Sequence, residues 1–156
     1  MTTIASRTSW KNLPIDNPKR IDIHLQFTAE QFTKLTAGLI PEEMEDKWFV
    51  FFENNWLFFH RSWTGYGYYK AQIIKKQDFY IINEFWAERN QEKYQNDDDQ
   101  ADIQILTYLI VRGLLCMDVN YFFARQTIKS GNDAINSWGL FGRMLFTEQS
   151  YDNPPE

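Results

Sequence analysis

Apolar and polar residues alternate along residues 21–27 with the period of two that is typical of a half-buried β-strand. The next four residues, starting at Thr28, have the Thr-x-x-Gln spacing of a capping box and predict the start of a helix. Apolar residues from Phe32 to Leu39 fall on one face of that helix, and Pro41 ends it. The chain therefore opens with a strand followed by an amphipathic helix.

Four strand-like runs follow, at residues 47–53, 56–62, 66–75 and 78–87. The short segments between them contain residues that favour turns, namely Asn54-Asn55, Gly65 with Gly67, and Gln77-Asp78. Short connections favour antiparallel neighbours. The middle of the chain therefore predicts an antiparallel meander.

The second half of the chain is predicted to be helical. An acidic loop at 92–99 leads into a helix at 100–117, and a short aromatic segment at 121–123 precedes a last helix at 132–146. We expect an α+β fold in the order β-α-β-β-β-β-α-α, with helices packed on a mostly antiparallel sheet of about five strands. The length predicts a single domain over 1–156, with an extended arm at 1–19 pinned by Trp10 and a frayed tail at 151–156.

A two-residue turn at Asn54-Asn55 fixes which residues of the second and third strands share a face. One face then carries Lys47, Phe49, Phe51, Glu53, Trp56, Phe58, His60 and Ser62. The other carries Asp46, Trp48, Val50, Phe52, Leu57, Phe59, Arg61 and Trp63. Both faces are apolar, so we expect this hairpin to be covered on both sides.

The open end of the hairpin holds the most chemically distinctive residues. Arg61 lies across from Trp48 and diagonal to Asp46, and Trp63 follows two residues later. In one interpretation, the guanidinium packs on indole, pairs with the carboxylate and locks the hairpin. In the other, Arg61 binds an anionic ligand between tryptophan walls. The predicted ligand-binding set is Arg61, Trp48, Trp63, Asp46, Ser62 and Thr64.

Catalytic chemistry has little support in the sequence. His60 and Ser62 share a face, but no nucleophile elbow surrounds the serine, so His60 is better explained as a satisfied, half-buried histidine. Glu84, on the fourth run, is a second candidate for proton transfer and has Lys70 or Arg61 as a possible partner. His60 and Glu84 are therefore the two candidates for a catalytic role, and the chain leans away from being an enzyme.

No metal or cofactor site is predicted. The acidic run at 97–99 with Asp102 lacks the glycine and glutamate of a calcium loop, and is explained as a helix cap and dipole complement. His24 and His60 lie in different elements, and the single cysteine, Cys116, sits in an apolar run that predicts a core position.

Composition narrows the partners. Hydrophobic residues make up 44% and aromatic residues 17%, so surplus aromatic surface is expected at a protein interface. The formal charge of −5 disfavours nucleic acid and anionic membranes. The N-terminus has no apolar signal core and no stretch is long enough to span a membrane, which predicts a cytoplasmic protein.

The strings MEDKWF at 44–49 and HRSWTG at 60–65 resemble a signature of small bacterial proteins of uncharacterised function. The resemblance covers about residues 40–75. The resemblance implies a bacterial source and implies that the residues of the two strings form one structural unit. It implies no activity and no ligand.

Two functions remain open at this point. The first is a non-enzymatic binding module, either a homodimer or a partner for another protein, that uses surplus aromatic surface. The second is a small-molecule site for a phosphate- or nucleotide-like anion at the open end of the hairpin, with Arg61 as the charge.

Overall fold

In the computed structural model, residues 4–43 and 45–125 are described. The strands are β1 Pro18–Thr28, β2 Trp48–Glu53, β3 Trp56–Arg61, β4 Gly67–Gln72, β5 Ile74–Lys75 and β6 Phe79–Glu88. The helices are α1 Ala29–Ala37, α2 Asp99–Tyr108 and α3 Val119–Ala124, and a π-helix spans Leu109–Leu114 between α2 and α3.

The strands form one antiparallel sheet in the order β1-β6-β4-β3-β2, with β5 paired to β6. The predicted α+β class, with helices packed on an antiparallel sheet, is confirmed. The predicted run at 66–75 is divided at Ile73, so the sheet formed within residues 18–88 has six strands in place of about five.

The capping box at the start of α1 is present as predicted. The Thr28 hydroxyl accepts from the Gln31 backbone N–H at 3.1 Å, and the Gln31 side chain accepts from the Thr28 N–H at 2.9 Å. The helix ends at Ala37, before the predicted end at Pro41, and its C-cap residue Gly38 has a φ of 70°. A Cβ at that position would lie 2.4 Å from the Val50 carbonyl oxygen, so glycine lets the chain approach β2.

The β2–β3 hairpin has the predicted register, with Trp48 opposite Arg61 and Phe49 opposite His60. Asn54 and Asn55 both have positive φ, 53° and 71°, as a type I′ turn requires. Both hairpin faces are covered. The Val50 and Phe59 face packs in the main core under the helices, whereas Phe49 and Phe51 form a smaller core with Ala5.

The helical half departs from the prediction at 100–117. The α-helix gives way to the π-helix at Leu109, and the chain leaves it at Leu115. Cys116 is exposed and has a φ of 56°, so the predicted core position for this cysteine is wrong. The aromatic segment at 121–123 lies within α3. The predicted helix at 132–146 and the tail at 151–156 lie outside the described residues.

An extended arm, residues 4–17, crosses the sheet face opposite the helices. Its attachment begins at Ala5, whose N–H donates to the Ala37 carbonyl, and continues through Leu13, whose N–H donates to the Gly65 carbonyl at 2.7 Å. At its far end, the buried Glu88 carboxylate accepts from the N–H groups of Asp16 and Asn17 at 2.8 and 2.9 Å. The arm covers the smaller core, to which it contributes Ala5.

Candidate functional site

The predicted pairing of Arg61 with Trp48 is present. The guanidinium lies 4.9 Å from the Trp48 ring centroid and 5.8 Å from that of Tyr68, and we call these three residues the Arg61 cluster. A β-bulge between β3 and β4 opposes Phe59 to Tyr69 and His60 to Gly67, which leaves Tyr68 as the extra residue. The bulge accounts for the presence of both Tyr68 and Tyr69 on the Trp48 side of the sheet.

The other residues predicted to bind a ligand support the turns beside this cluster. The Asp46 carboxylate accepts from the backbone N–H groups of Glu42 and Glu43 at 2.8 and 3.1 Å, so the expected ion pair with Arg61 is not formed by this carboxylate. The Ser62 hydroxyl donates to the Asp46 carbonyl at 2.7 Å. The Thr64 hydroxyl accepts from the Tyr66 N–H at 3.1 Å.

Trp63 leaves the hairpin face on which the strand pattern placed it. The N–H of Gly65 donates to the Arg61 carbonyl, so the chain turns directly after β3. The Trp63 ring is exposed, and the Lys47 ammonium lies 5.1 Å from its centroid. Arg61, in contrast, is only 5% exposed. The structure therefore separates the predicted cluster into a buried part, with Trp48, and an exposed part, with Trp63.

A buried polar group lies next to the Arg61 cluster, and we call it the tyrosine network. Asp102 is fully buried, and its Oδ1 accepts from the Tyr69 and Tyr94 hydroxyls at 2.9 and 2.6 Å and from the Asn96 amide at 2.8 Å. Its Oδ2 accepts from Arg89 at 2.5 Å. The Tyr68 ring packs on Tyr94 with centroids 4.2 Å apart, which joins the two groups.

The tyrosine network connects strand β4, the loop after β6 and helix α2. Burial, together with the Asp102 charge, raises the pKa of Tyr69 and Tyr94. Both hydroxyls therefore stay protonated and donate to the carboxylate, and Arg89 compensates its charge. This is a satisfied buried network that fixes α2 on the sheet. Asp102 was predicted only as part of a helix cap and dipole complement, so its place in this network was missed.

The two candidates for proton transfer are in unrelated settings. The buried His60 ring stacks on Phe51 with centroids 5.7 Å apart, and its Nδ1 lies 3.1 Å from the Gly65 carbonyl oxygen. Burial lowers the pKa of His60 to about 4. Glu84 pairs with Arg20 at 2.5 Å, in place of Lys70 or Arg61. A neutral histidine against phenylalanine and an ion-paired glutamate provide no joint acid–base arrangement.

Three exposed apolar residues lie around the turn that follows β3, and together we call them the Trp surface. It consists of Trp10, Leu13 and Trp63, whose exposures are 37%, 44% and 46%. The Trp10 indole N–H donates to the Ser62 carbonyl, next to Trp63, and Leu13 bridges to Tyr66 in the same turn. Trp10 was predicted only as an anchor of the arm and Leu13 was not predicted, because their positions depend on how the arm crosses the turn.

Among residues 4–43 and 45–125, no group of three or more His, Cys, Asp or Glu side chains is arranged to hold a metal ion. Over the same residues, no helix is long and apolar enough to cross a membrane.

Over residues 4–43 and 45–125, the chain is an α+β protein with helices on one face of an antiparallel sheet and an arm on the other, with a buried tyrosine network and exposed tryptophans at the turn after β3. Comparison with protein-family models, with curated proteins and with solved structures gave no match for this chain.

Proposed function

We propose that this protein is a non-enzymatic interaction module that forms a homodimer through the Trp surface. The observation that carries the proposal is the convergence of Trp10, Leu13 and Trp63, all at least a third exposed, on one turn of the molecule. Large apolar side chains that are clustered and exposed mark protein interfaces, and tryptophan is enriched among the residues that dominate binding.

The charges around the Trp surface support a second copy of this chain as the partner. Lys11 packs against the turn at Gly65, and Lys47 lies over Trp63. The neighbouring segment carries the exposed residues Glu42, Glu43 and Glu45. A rim with both signs suits a two-fold interface, because the lysines of each copy then face the glutamates of the other.

Sedimentation equilibrium over a range of protein concentrations tests this proposal. We expect a concentration-dependent dimer for the wild type and a monomer for the double variant Leu13→Ser, Trp63→Ser. The matched control is Ile4→Ser, which removes an exposed apolar side chain of the same arm outside the Trp surface. A wild type that remains monomeric throughout, or a double variant that dimerises equally well, would contradict the proposal.

The alternative function, binding of a small phosphate- or nucleotide-like anion at Arg61, has one observation in its favour. The bulge in β4 directs Tyr68 toward the Arg61 guanidinium, and bulges often re-aim side chains at functional sites. Against it stands the 5% exposure of Arg61. Thermal shift assays with inorganic phosphate and nucleotides, on the wild type and on Arg61→Lys, test this alternative. If Arg61 binds an anion, the anion raises the melting temperature of the wild type but not that of the variant.

A further inference from the structure

One carbonyl group, that of Gly65, is hydrogen-bonded both to the arm and to strand β3. The Gly65 carbonyl oxygen accepts from the Leu13 N–H at 2.7 Å and lies 3.1 Å from Nδ1 of His60. A carbonyl only accepts hydrogen bonds, so Nδ1 carries the proton and donates. His60 therefore lies directly beneath the point where the arm is attached.

The arm covers His60 with little apolar material of its own. Within the smaller core, Phe49 and Phe51 of β2 are fully buried, and the arm contributes Ala5 to it. Within residues 4–13 the large apolar side chains of Ile4, Trp10 and Leu13 are exposed, and Ile15 beyond them is half-buried beside Gly67. Polar contacts more than hydrophobic burial therefore hold residues 5–13, so this segment can separate from the sheet without opening the main core.

The backbone of the arm can lie against strand β4 only because residue 67 is a glycine. A Cβ at Gly67 would lie 2.9 Å from the Leu13 carbonyl oxygen and 3.3 Å from Cε1 of His60. The arm, Gly67 and His60 therefore form one packed layer, in which a change at the imidazole is felt by the arm.

The charged groups around His60 oppose a second positive charge. Arg7 of the arm lies 5.0 Å from the centroid of Phe51, the ring on which His60 stacks, and pairs with Glu53 at the end of β2 at 2.9 Å. Among the described residues, Phe49, the Gly65 carbonyl and Gly67 also lie beside the imidazole. The hydrogen bond and charge of Arg7 lower the pKa of the Glu53 carboxyl group.

We propose that residues 5–13 act as a strap that mild acid releases from the sheet when His60 is protonated, while the main core stays folded. An imidazolium would be buried between phenylalanine rings and would repel Arg7, which is one of the anchors of the arm. The release exposes the Phe49–Phe51 face and disassembles the Trp surface, because Trp10 and Leu13 leave with the arm.

The pKa of His60 sets the pH range of this release. It is about 4 with the arm in place, against 6.5 for the free imidazole, so protons bind the released state more tightly. Attachment is therefore strongest above pH 6.5 and weakens as the pH falls toward 4. Between pH 7 and pH 4.5, attachment should weaken by at most about 60-fold, the limit reached when the released imidazole regains the free value.

Hydrogen exchange measured by NMR, corrected for intrinsic rates, tests the strap in the full chain. The probes are the backbone N–H groups of Ala5 and Leu13 and the indole N–H of Trp10, and the reference is the set of amides in β6. We expect protection of the three probes to fall up to about 60-fold from pH 7 to pH 4.5, with β6 unchanged. Equal protection of the probes at both pH values, or a parallel loss in β6, would overturn the proposal.

Three variants isolate the role of His60. His60→Asn keeps a donor near Nδ1 without the titration, and should retain arm protection at pH 4.5. His24→Asn changes the other histidine, exposed on β1, and should behave as the wild type. Gly67→Ala should release the arm at both pH values and provides the reference for the open state. If His60→Asn does not fold, the protection of the arm relative to β6 in the wild type and in His24→Asn still shows whether mild acid releases the arm.

Discussion

The indole N–H of Trp10 donates to the Ser62 carbonyl at 2.7 Å, and this bond fixes the arm against the turn that follows β3. Trp10 is exposed and yet held in one orientation, as is Leu13, whose N–H is bonded to Gly65. A surface that is ordered before binding loses less conformational entropy when a partner docks. The exposed aromatic residues are therefore arranged as a rigid surface at the end of the hairpin.

Trp10→Phe should weaken this arrangement without removing the ring. The variant loses the bond to the Ser62 carbonyl, which is worth about 1 kcal/mol of the free energy of unfolding. Urea denaturation measures that loss. Sedimentation of the same variant should show weaker dimerisation, because the ring is no longer held in place. Unchanged stability and unchanged dimerisation would show that the bond has no role.

The tyrosine network should be visible in an alkaline titration. The raised pKa of Tyr69 and Tyr94 means that folding favours their protonated forms, so this contribution to stability is present below pH 10 and is lost at higher pH. These two tyrosines should therefore ionise only as the protein unfolds. Absorbance at tyrosinate wavelengths measures the ionisation as the pH is raised, and the variants Tyr69→Phe and Tyr94→Phe assign it to these two residues. Ionisation of both residues near pH 10 in the folded protein would contradict it.

Asp102→Asn should be among the most damaging single substitutions in α2. It removes the carboxylate to which Tyr69, Tyr94 and Arg89 donate, at a position with no solvent contact. Loss of one partner from a buried charged network costs about 3 kcal/mol. Asp97→Asn, in the same acidic run but exposed, is the control and should change the free energy of unfolding by less than about 0.5 kcal/mol. Chemical denaturation that gives equal effects for the two would show that the network is not a stabilising element.

Substitutions in the hairpin turn should either stabilise or destabilise the fold, depending on the residue introduced. Asn54 and Asn55 have positive φ, which glycine adopts without strain and alanine does not. Asn55→Gly should be neutral or stabilise the fold by up to about 1 kcal/mol, since type I′ turns favour Asn-Gly. Asn54→Ala should destabilise it by about 1 kcal/mol. Thermal denaturation checks both, and the opposite order of melting temperatures would contradict the assigned turn.

The hairpin and α1 could be predicted because their signals are local. Two asparagines set the turn, the period of two sets the faces, and four residues starting at Thr28 set the cap. The bulge at Tyr68 could not be predicted, because one extra residue in a strand rich in aromatic side chains leaves no mark in the pattern.

The missed parts of the candidate sites depend on contacts between distant segments. Asp102 becomes a network centre only because Tyr69 and Tyr94 approach it from other elements. The Trp surface likewise requires that the arm meet the turn at Ser62. Trp63 was assigned to the Arg61 face because the strand pattern was extended past Arg61, where the chain in fact turns. Cys116 was misplaced because the helix was extended past the π-helix.

The most direct test of the Trp surface as the dimer interface is an isotope-filtered NOE experiment on a mixture of labelled and unlabelled chains. We expect NOEs between copies that involve the indole protons of Trp10 and Trp63 and the methyl groups of Leu13. They should disappear in Leu13→Ser, Trp63→Ser and persist in Ile4→Ser. NOEs between copies that involve other surfaces, or none at concentrations where the wild type is saturated as a dimer, would contradict the account.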